Sequence, residues 1–146
     1  PARGKAAAES QIAEGADVIF GAGGPTGSGG ILGAAQQGVY VIGVDQDEYL
    51  TTFKNGAEKG ANKLLSSAMK RVDVAVYNTL MKTFKGEFKG GNTVFDAAAN
   101  GVGLAPFHDA EGEIPQEVKD KLNEIFKMLA SGELDTGVDP ITGDLK

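Results

Sequence analysis

Cysteine and tryptophan are absent from this 146-residue chain, and histidine occurs once, as His108. Without cysteine there can be no disulfide, no thiolate metal site and no cysteine nucleophile. A single imidazole excludes any site that needs two. Basic residues are also in the minority, with 14 Lys and Arg against 20 Asp and Glu. The resulting net charge of −6 argues against a nucleic-acid partner, and no run approaches the ~20 apolar residues of a membrane span.

Glycine is the residue that the chain has in excess, at 22 of 146 positions, which is about twice the average usage of ~7%. No three-residue glycine repeat accompanies the excess, so collagen is excluded, and we expect the glycines in turns and close backbone contacts. The length fits one domain. Because the chain starts at Pro1 rather than at methionine, we expect it to be a processed or truncated piece.

The first 45 residues alternate between helix-like and strand-like patterns. In chain order we predict a helix at 5–14, a strand at 16–20, a glycine-rich turn at 21–30, a helix at 31–37 and a strand at 39–44. Strands that alternate with helices through short connections are typical of an α/β protein with a parallel sheet.

In the second half of the chain, the apolar patterns extend over longer stretches. Apolar residues that recur at i, i+3 and i+4 predict one long helix over 57–85. Short strands are predicted at 93–95 and 102–105. A final helix follows Pro115 and ends before Gly132.

The glycine-rich turn follows a strand, as phosphate-binding loops do, but it matches neither common phosphate motif. A Walker A loop would need Gly-Lys-Ser/Thr at its end, and a dinucleotide fingerprint that starts at Gly21 would need glycine at Thr26. Pro25 also lacks an amide donor. Gly23 and Gly24 would let the backbone approach a ligand closely, but a tight turn without any ligand fits the same residues equally well.

Asp45 follows the second strand, at the edge where open α/β sheets bind ligands. Its carboxylate could accept two hydrogen bonds from a sugar diol, although an Asp that caps the next turn explains the residue slightly better. Phe20, which ends the first strand, could stack on a flat ligand or lie in the core. Lys70 is expected to be solvated, off the apolar stripe of the predicted long helix.

Three further titratable residues are of types that take part in catalysis. Asp47 and Glu48 are expected to face solvent, and His108 is expected to lie on the surface in a polar loop. No acid–base pair, nucleophile or metal site is therefore predicted.

Six segments occur in a fixed order along the chain: ADVIF at 16–20, AGG at 22–24 with TG at 26–27 and Gly29, VIGVDQD at 41–47, SSAMKRVD at 66–73, TFKG at 83–86 and NGVGLAP at 100–106. Together they resemble the basic membrane protein (BMP) family, the substrate-binding proteins of bacterial ABC transporters related to purine nucleoside receptor lipoproteins. The resemblance extends from about residue 4 to residue 132.

The resemblance implies a type I periplasmic binding protein fold, in which two α/β lobes are joined by hinge strands and the ligand lies in the cleft. Each lobe has a parallel sheet sandwiched by helices. Family members are considerably longer than this chain. Residues 1–132 are therefore expected to be the C-terminal half, mainly the C-terminal lobe with segments of the hinge and first lobe, and 133–146 a tail.

The implied function is a non-enzymatic receptor that passes a purine nucleoside-like molecule to an ABC transporter permease, without a cofactor. The matching positions are Phe20 for contact with the base, Gly23 and Gly24 for close backbone approach, Asp45 for the ribose hydroxyls and Lys70 for a further polar contact. The implied location is extracytoplasmic, either periplasmic or lipid-anchored through a segment outside this chain. The missing N-terminal half, or a complementary chain, would be a partner.

Two other functions fit the residues. One is a small α/β nucleotide-dependent enzyme that uses the glycine-rich turn. The other is a sensor domain of the same fold that binds a different small ligand.

Overall fold

The computed structural model describes residues 1–139 and 141–146, arranged as two compact units. Unit 1 comprises Pro1–Lys70 and Leu104–Pro115, and unit 2 comprises Arg71–Gly103 and Gln116–Lys146. The chain therefore passes from one unit to the other at three places. Residue 140, which belongs to the predicted tail, lies outside the described residues.

The helices and strands alternate along the first 70 residues. In chain order they are α1 (Ala2–Ala13), β1 (Val18–Phe20), α2 (Gly24–Ala35), β2 (Tyr40–Asp45), β3 (Leu64–Lys70), α3 (Val72–Phe84), β4 (Val102–Leu104) and α4 (Gln116–Ser131). Short 3-10 helices lie at Ala61–Lys63 and His108–Glu113. Among the described helices, none has both the length and the hydrophobicity to cross a membrane.

The sheet has the strand order β1-β2-β3-β4. β1 pairs with β2, and β2 with β3, in parallel, with Phe20 opposite Ile42 and Asp45 opposite Met69. Beyond β3, the Ala105 N–H donates to the Ser67 carbonyl at 2.9 Å. The predicted α/β class with a parallel sheet is confirmed.

The core of unit 1 lies between this sheet and its helices. Ile31 of α2, Val41 of β2 and Phe53 of the segment after β2 are completely buried in it. Helix α1 packs closely on α2, because a Cβ at Gly4 would clash with the carbonyl oxygen of Thr26. Part of the glycine excess therefore serves close packing of backbone, as expected.

Unit 2 has little core of its own. Helices α3 and α4 contain no buried residue. Side chains that are large, apolar and exposed are concentrated along α3; they are Val72, Val76, Tyr77, Leu80 and Phe84. Near the end of the described chain, Val138 bridges to Leu145 and Lys146 forms an ion pair with Asp135.

The prediction of one helix over 57–85 is wrong. Residues 64–70 form strand β3, and only Val72–Phe84 is an α-helix. A parallel strand covered on both faces usually reads as a nearly continuous apolar run, but Ser66 and Ser67 interrupt β3. Its apolar residues also fall at helical spacing with those of the following helix. Pairing with β2, at Val41–Leu64 and onwards, overrides the helical pattern.

Two smaller predictions also fail. Residues 93–95 form no strand. The predicted glycine-rich turn is mostly the start of helix α2, which begins at Gly24 rather than at residue 31. Proline suits the first turn of a helix because its missing N–H has no partner there, and Pro25 occupies this position. The first helix, β1, β2, β4 and the final helix are confirmed.

Candidate functional site

The carboxyl ends of β1, β2 and β3 meet at one edge of the sheet in unit 1, hereafter the strand-end edge. Phe20 ends β1, Asp45 ends β2 and Lys70 ends β3. Gly23 is the N-cap of α2 and Gly24 its first residue. All five predicted ligand-binding residues therefore lie at or beside this edge.

Phe20, Asp45 and Lys70 are all exposed at the strand-end edge. The Phe20 side chain is 57% exposed, so the core alternative for this residue is wrong. Lys70 reaches the edge as the last residue of a strand and not as part of a long helix. An aromatic ring, a carboxylate and an ammonium group are thus open to solvent at neighbouring strand ends.

The backbone of Asp45 is in the left-handed region, with φ of 71°. This conformation is uncommon for residues other than glycine, and Asp is among those that tolerate it. Strained residues of this kind persist where the surrounding structure holds them, and they cluster at ligand sites. The residues that hold Asp45 in place follow directly after it.

Asp47 anchors the chain two residues beyond Asp45. One of its carboxylate oxygens lies 2.8 Å from Nε2 of His108, and the other accepts the Tyr49 N–H at 3.1 Å. The rings of Tyr49 and His108 stack with centroids 4.1 Å apart and an interplanar angle of 8°. The segment after β2 is thereby tied to the segment after β4.

The expectation that Asp47 faces solvent and that His108 is a surface residue is wrong. Their side chains are only 15% and 22% exposed. The two residues are 61 positions apart in the chain, so no local pattern could have paired them. His108 also has a φ of 47°, which the polar-loop interpretation did not suggest.

Glu48 is a buried carboxylate, with 3% of its surface exposed. Ser28 of α2 donates to Oε1 at 2.9 Å, Thr51 donates to Oε2 at 3.3 Å, and the Thr52 hydroxyl also donates to Oε2. The Glu48 N–H in turn donates to Oγ of Ser67 on β3, at 3.2 Å. Glu48 therefore links α2, the segment after β2, and β3.

The expectation that Glu48 faces solvent is thus also wrong. Its side chain occupies the space above Gly43, where a Cβ would collide with it. The one local signal was the pair of hydroxyls at Thr51 and Thr52, three and four residues after the acid. This spacing places them within reach of Glu48 when the segment turns.

A cavity of about 500 Å3 lies at the strand-end edge. Its polar side chains are Ser28, Asp45, Gln46, Glu48 and Thr52, and its other lining residues are Pro1, Gly24, Pro25, Gly29, Leu32 and Val44. Asp45 and Gly24 are the two predicted ligand-binding residues that the cavity brings together. Phe20, Gly23 and Lys70 do not line it.

Among the residues that the structure describes, no lysine or arginine side chain lines this cavity. Across residues 1–139 and 141–146, no group of three His, Asp or Glu side chains is placed to hold a metal ion. What the cavity offers is hydrogen bonding, chiefly to carboxylates and hydroxyls.

Stability should fall at alkaline pH because of Tyr49. Burial, followed by the hydrogen bond to Asp109, raises the pKa of Tyr49 above its usual value of 10.0. An unfolded chain loses this proton near pH 10.0 whereas the folded protein keeps it, so the free energy of unfolding decreases as the pH rises from 10.0 through the folded pKa. Tyr49→Phe should remove this part of the decrease.

The measurement is the urea midpoint at about pH 8 and about pH 11 for the wild type, Tyr49→Phe and the exposed control Tyr77→Phe. The expected result is a smaller alkaline loss in Tyr49→Phe only. An equal loss in all three proteins would contradict the assignment.

A family model described as ABC transporter substrate-binding protein PnrA-like matches residues 1–132. The chain is 33% identical over 143 residues to the CD4+ T-cell-stimulating antigen of Listeria innocua serovar 6a. It is 30% identical over 146 residues to basic membrane protein D of Borreliella burgdorferi strain JD1. The alignments cover 90% and 97% of this chain, but only 39% and 40% of those relatives.

Solved structures share the fold. A transcriptional activator of the comK gene from Bacillus halodurans matches with a TM-score of 0.73 at 20% identity, covering 88% of this chain and 41% of that one. An ABC transporter solute-binding protein from Aeropyrum pernix K1 matches with a TM-score of 0.61 at 24% identity, covering 90% and 43%. These matches confirm the predicted partial binding-protein fold.

Proposed function

Because the chain belongs to the family of PnrA-like substrate-binding proteins of ABC transporters, we propose that it is the ligand-binding part of such a receptor and takes a purine nucleoside. The family consists of binding proteins rather than enzymes, in agreement with the prediction that the chain is not an enzyme. The observation that carries the ligand proposal is the position of Asp45, exposed and in the left-handed conformation at the end of β2.

Each residue of the strand-end edge has a role in this proposal. The Asp45 carboxylate accepts hydrogen bonds from two ribose hydroxyls, for which it has enough lone pairs. The exposed Phe20 ring stacks on the base, and Lys70 supplies a further polar contact. Gly23 and Gly24 present backbone without a side chain in front of it, so that the ligand can approach α2 closely.

A further polypeptide segment is proposed to complete the site. Residues 1–132 would be the C-terminal half of a two-lobed receptor, with 133–146 as a tail. The apolar side chains exposed along α3 support this proposal, because surfaces of this kind are normally covered. The chain spans about two fifths of the length of its curated relatives, so the covering segment would be the rest of the longer protein or a complementary chain.

The mechanism would be closure of the cleft around the ligand. Contacts from both lobes favour the closed state, which the permease then recognises. A receptor of this kind works outside the cytoplasm, either in the periplasm or anchored to the membrane by a lipid.

Inosine, adenosine or guanosine should raise the melting temperature. A ligand at 100 times its Kd stabilises by about 2.7 kcal/mol, which shifts Tm by roughly 5 °C or more in a domain of this size. Differential scanning fluorimetry should be run on this chain and on the longest natural polypeptide that contains it. Recovery of the nucleoside unaltered separates binding from the turnover that a nucleotide-dependent enzyme would show.

Failure of all three nucleosides to stabilise the longer polypeptide would overturn the ligand proposal and leave the fold intact. If a nucleoside stabilises the longer polypeptide but not this chain, the result would support the need for a second segment. Cytidine, whose ribose is the same but whose base is smaller, is the matched ligand for testing the contribution of Phe20.

A further inference from the structure

We propose that Glu48 determines the specificity of the cavity at the strand-end edge, so that it admits ligands that donate hydrogen bonds and rejects phosphorylated ones. The inference rests on the proposed function for the identity of the ligand, but its physical basis is the lining of the cavity. Glu48, which was expected from the sequence to face solvent, thereby becomes part of the recognition site.

The first step concerns hydroxyl protons. Ser28 lies within hydrogen-bond distance of two acceptors, Glu48 Oε1 at 2.9 Å and the Gly24 carbonyl at 3.2 Å. It has one proton, and the shorter bond to a charged acceptor is the stronger. Thr52 likewise donates to the Glu48 carboxylate. Both hydroxyls therefore point their protons at Glu48 and leave only lone pairs for a ligand.

The second step concerns the donors that remain. Asp45 and Glu48 present acceptor oxygens, and among the lining side chains only the Gln46 amide can donate. The start of α2 could supply backbone donors, but Pro25 has no N–H, and those of Thr26 and Gly27 are bonded to the Gly23 carbonyl at 3.2 and 3.4 Å, which leaves the Gly24 N–H. Acceptor oxygens therefore predominate in this lining, and it suits a ligand that donates hydrogen bonds.

The third step concerns charge. The positive end of a helix dipole is equivalent to about half an elementary charge and favours anions. Two carboxylates line the same cavity, and among the described residues no lysine or arginine side chain does. Pro1 also lines it, but in a polypeptide that extends beyond Pro1 its nitrogen belongs to an uncharged peptide bond. The combined negative charge of the two carboxylates exceeds the helix contribution, so a phosphate would be repelled while a neutral hydroxyl or a protonated amine would be accepted.

The experiment varies only the substituent at the 5′ carbon of the ribose, which is an amine, a hydroxyl or a phosphate. Isothermal titration should measure 5′-amino-5′-deoxyadenosine, adenosine and adenosine 5′-monophosphate, together with ribose and ribose 5-phosphate. The proteins are wild type, Glu48→Gln and the control Glu58→Gln, on the longest natural polypeptide that contains this chain. Glu58 lies in the same segment and does not line the cavity, but its loss removes the same charge.

For the wild type we expect affinity in the order amine, hydroxyl, phosphate, with at least a tenfold preference for adenosine over its monophosphate. Glu48→Gln removes a charge and adds an amide donor, which frees one hydroxyl proton for the cavity. It should reduce that preference several-fold, and Glu58→Gln should not change it. If Glu48→Gln folds poorly, the wild-type preference should still shrink between ~0.05 and ~0.5 M salt as charges are screened.

The outcomes separate the two proposals. A preference for ribose over ribose 5-phosphate without any nucleoside binding would overturn the proposed function and support the inference. Nucleoside binding with equal affinity for the monophosphate, or with a preference that neither Glu48→Gln nor salt alters, would overturn the inference alone. Binding of none of the five compounds would overturn both.

Discussion

Replacement of Asp45 by glycine is expected to weaken nucleoside binding severely without weakening the fold. Glycine adopts the φ of 71° found at this position without strain, so the variant loses the carboxylate and keeps the backbone. Hydrogen bonds to a charged group contribute about 1.5–3 kcal/mol each, and two of them make the expected loss of affinity about 100-fold or more. Titration calorimetry measures the affinity, and the melting temperature without ligand measures the fold.

Two further variants control this result. Asp45→Asn keeps the shape and tolerates the left-handed region, so an intermediate affinity is expected from its remaining carbonyl oxygen. Asp17, which is exposed and immediately precedes β1, lies towards the opposite edge of the sheet. Asp17→Asn should bind like the wild type. A glycine variant with unchanged affinity, or an equal loss in Asp17→Asn, would contradict the assignment of Asp45.

Replacement of Phe53 by alanine is expected to have the largest effect on stability. Phe53 is completely buried in the core cluster of unit 1, which also contains Ile31 of α2 and Val41 of β2. Truncation of such a residue typically costs about 3–5 kcal/mol, from lost burial and from the cavity left behind. This is a large part of the about 5–15 kcal/mol that holds a typical domain folded.

The matched control is Phe84→Ala, because Phe84 ends α3 and is 87% exposed. Its replacement should change the free energy of unfolding by less than about 0.5 kcal/mol. Urea denaturation of the three proteins gives the comparison. Equal destabilisation by the two variants would show that the core of unit 1 does not lie where the structure places it.

The sequence predicted the strand-end edge because the evidence for it is local. A buried apolar run followed by Asp45, and another that ends at Phe20, place both residues at strand ends once the parallel arrangement is assumed. Lys70 could not be placed in this way. Its strand carries apolar residues at helical spacing, and only its pairing with β2 distinguishes a strand from a helix there.

The burial of Asp47 and Glu48, the acids after β2, also could not be predicted, but the reason is different. Glu48 is satisfied by Ser28, 20 residues earlier, and Asp47 by His108, 61 residues later. An acidic residue without visible partners is expected to be solvated, since burial of an unpaired charge is costly. Only the folded arrangement supplies those partners. The family resemblance was confirmed, whereas the ligand that it implies stays a prediction.

The most direct test of the nucleoside site is a crystal structure of the longest natural polypeptide that contains this chain, grown with inosine. The account predicts ribose hydroxyls at hydrogen-bond distance, ~2.6–3.0 Å, from the Asp45 carboxylate, and the base in contact with the Phe20 ring. Inosine bound elsewhere, with only solvent at the strand-end edge, would contradict it.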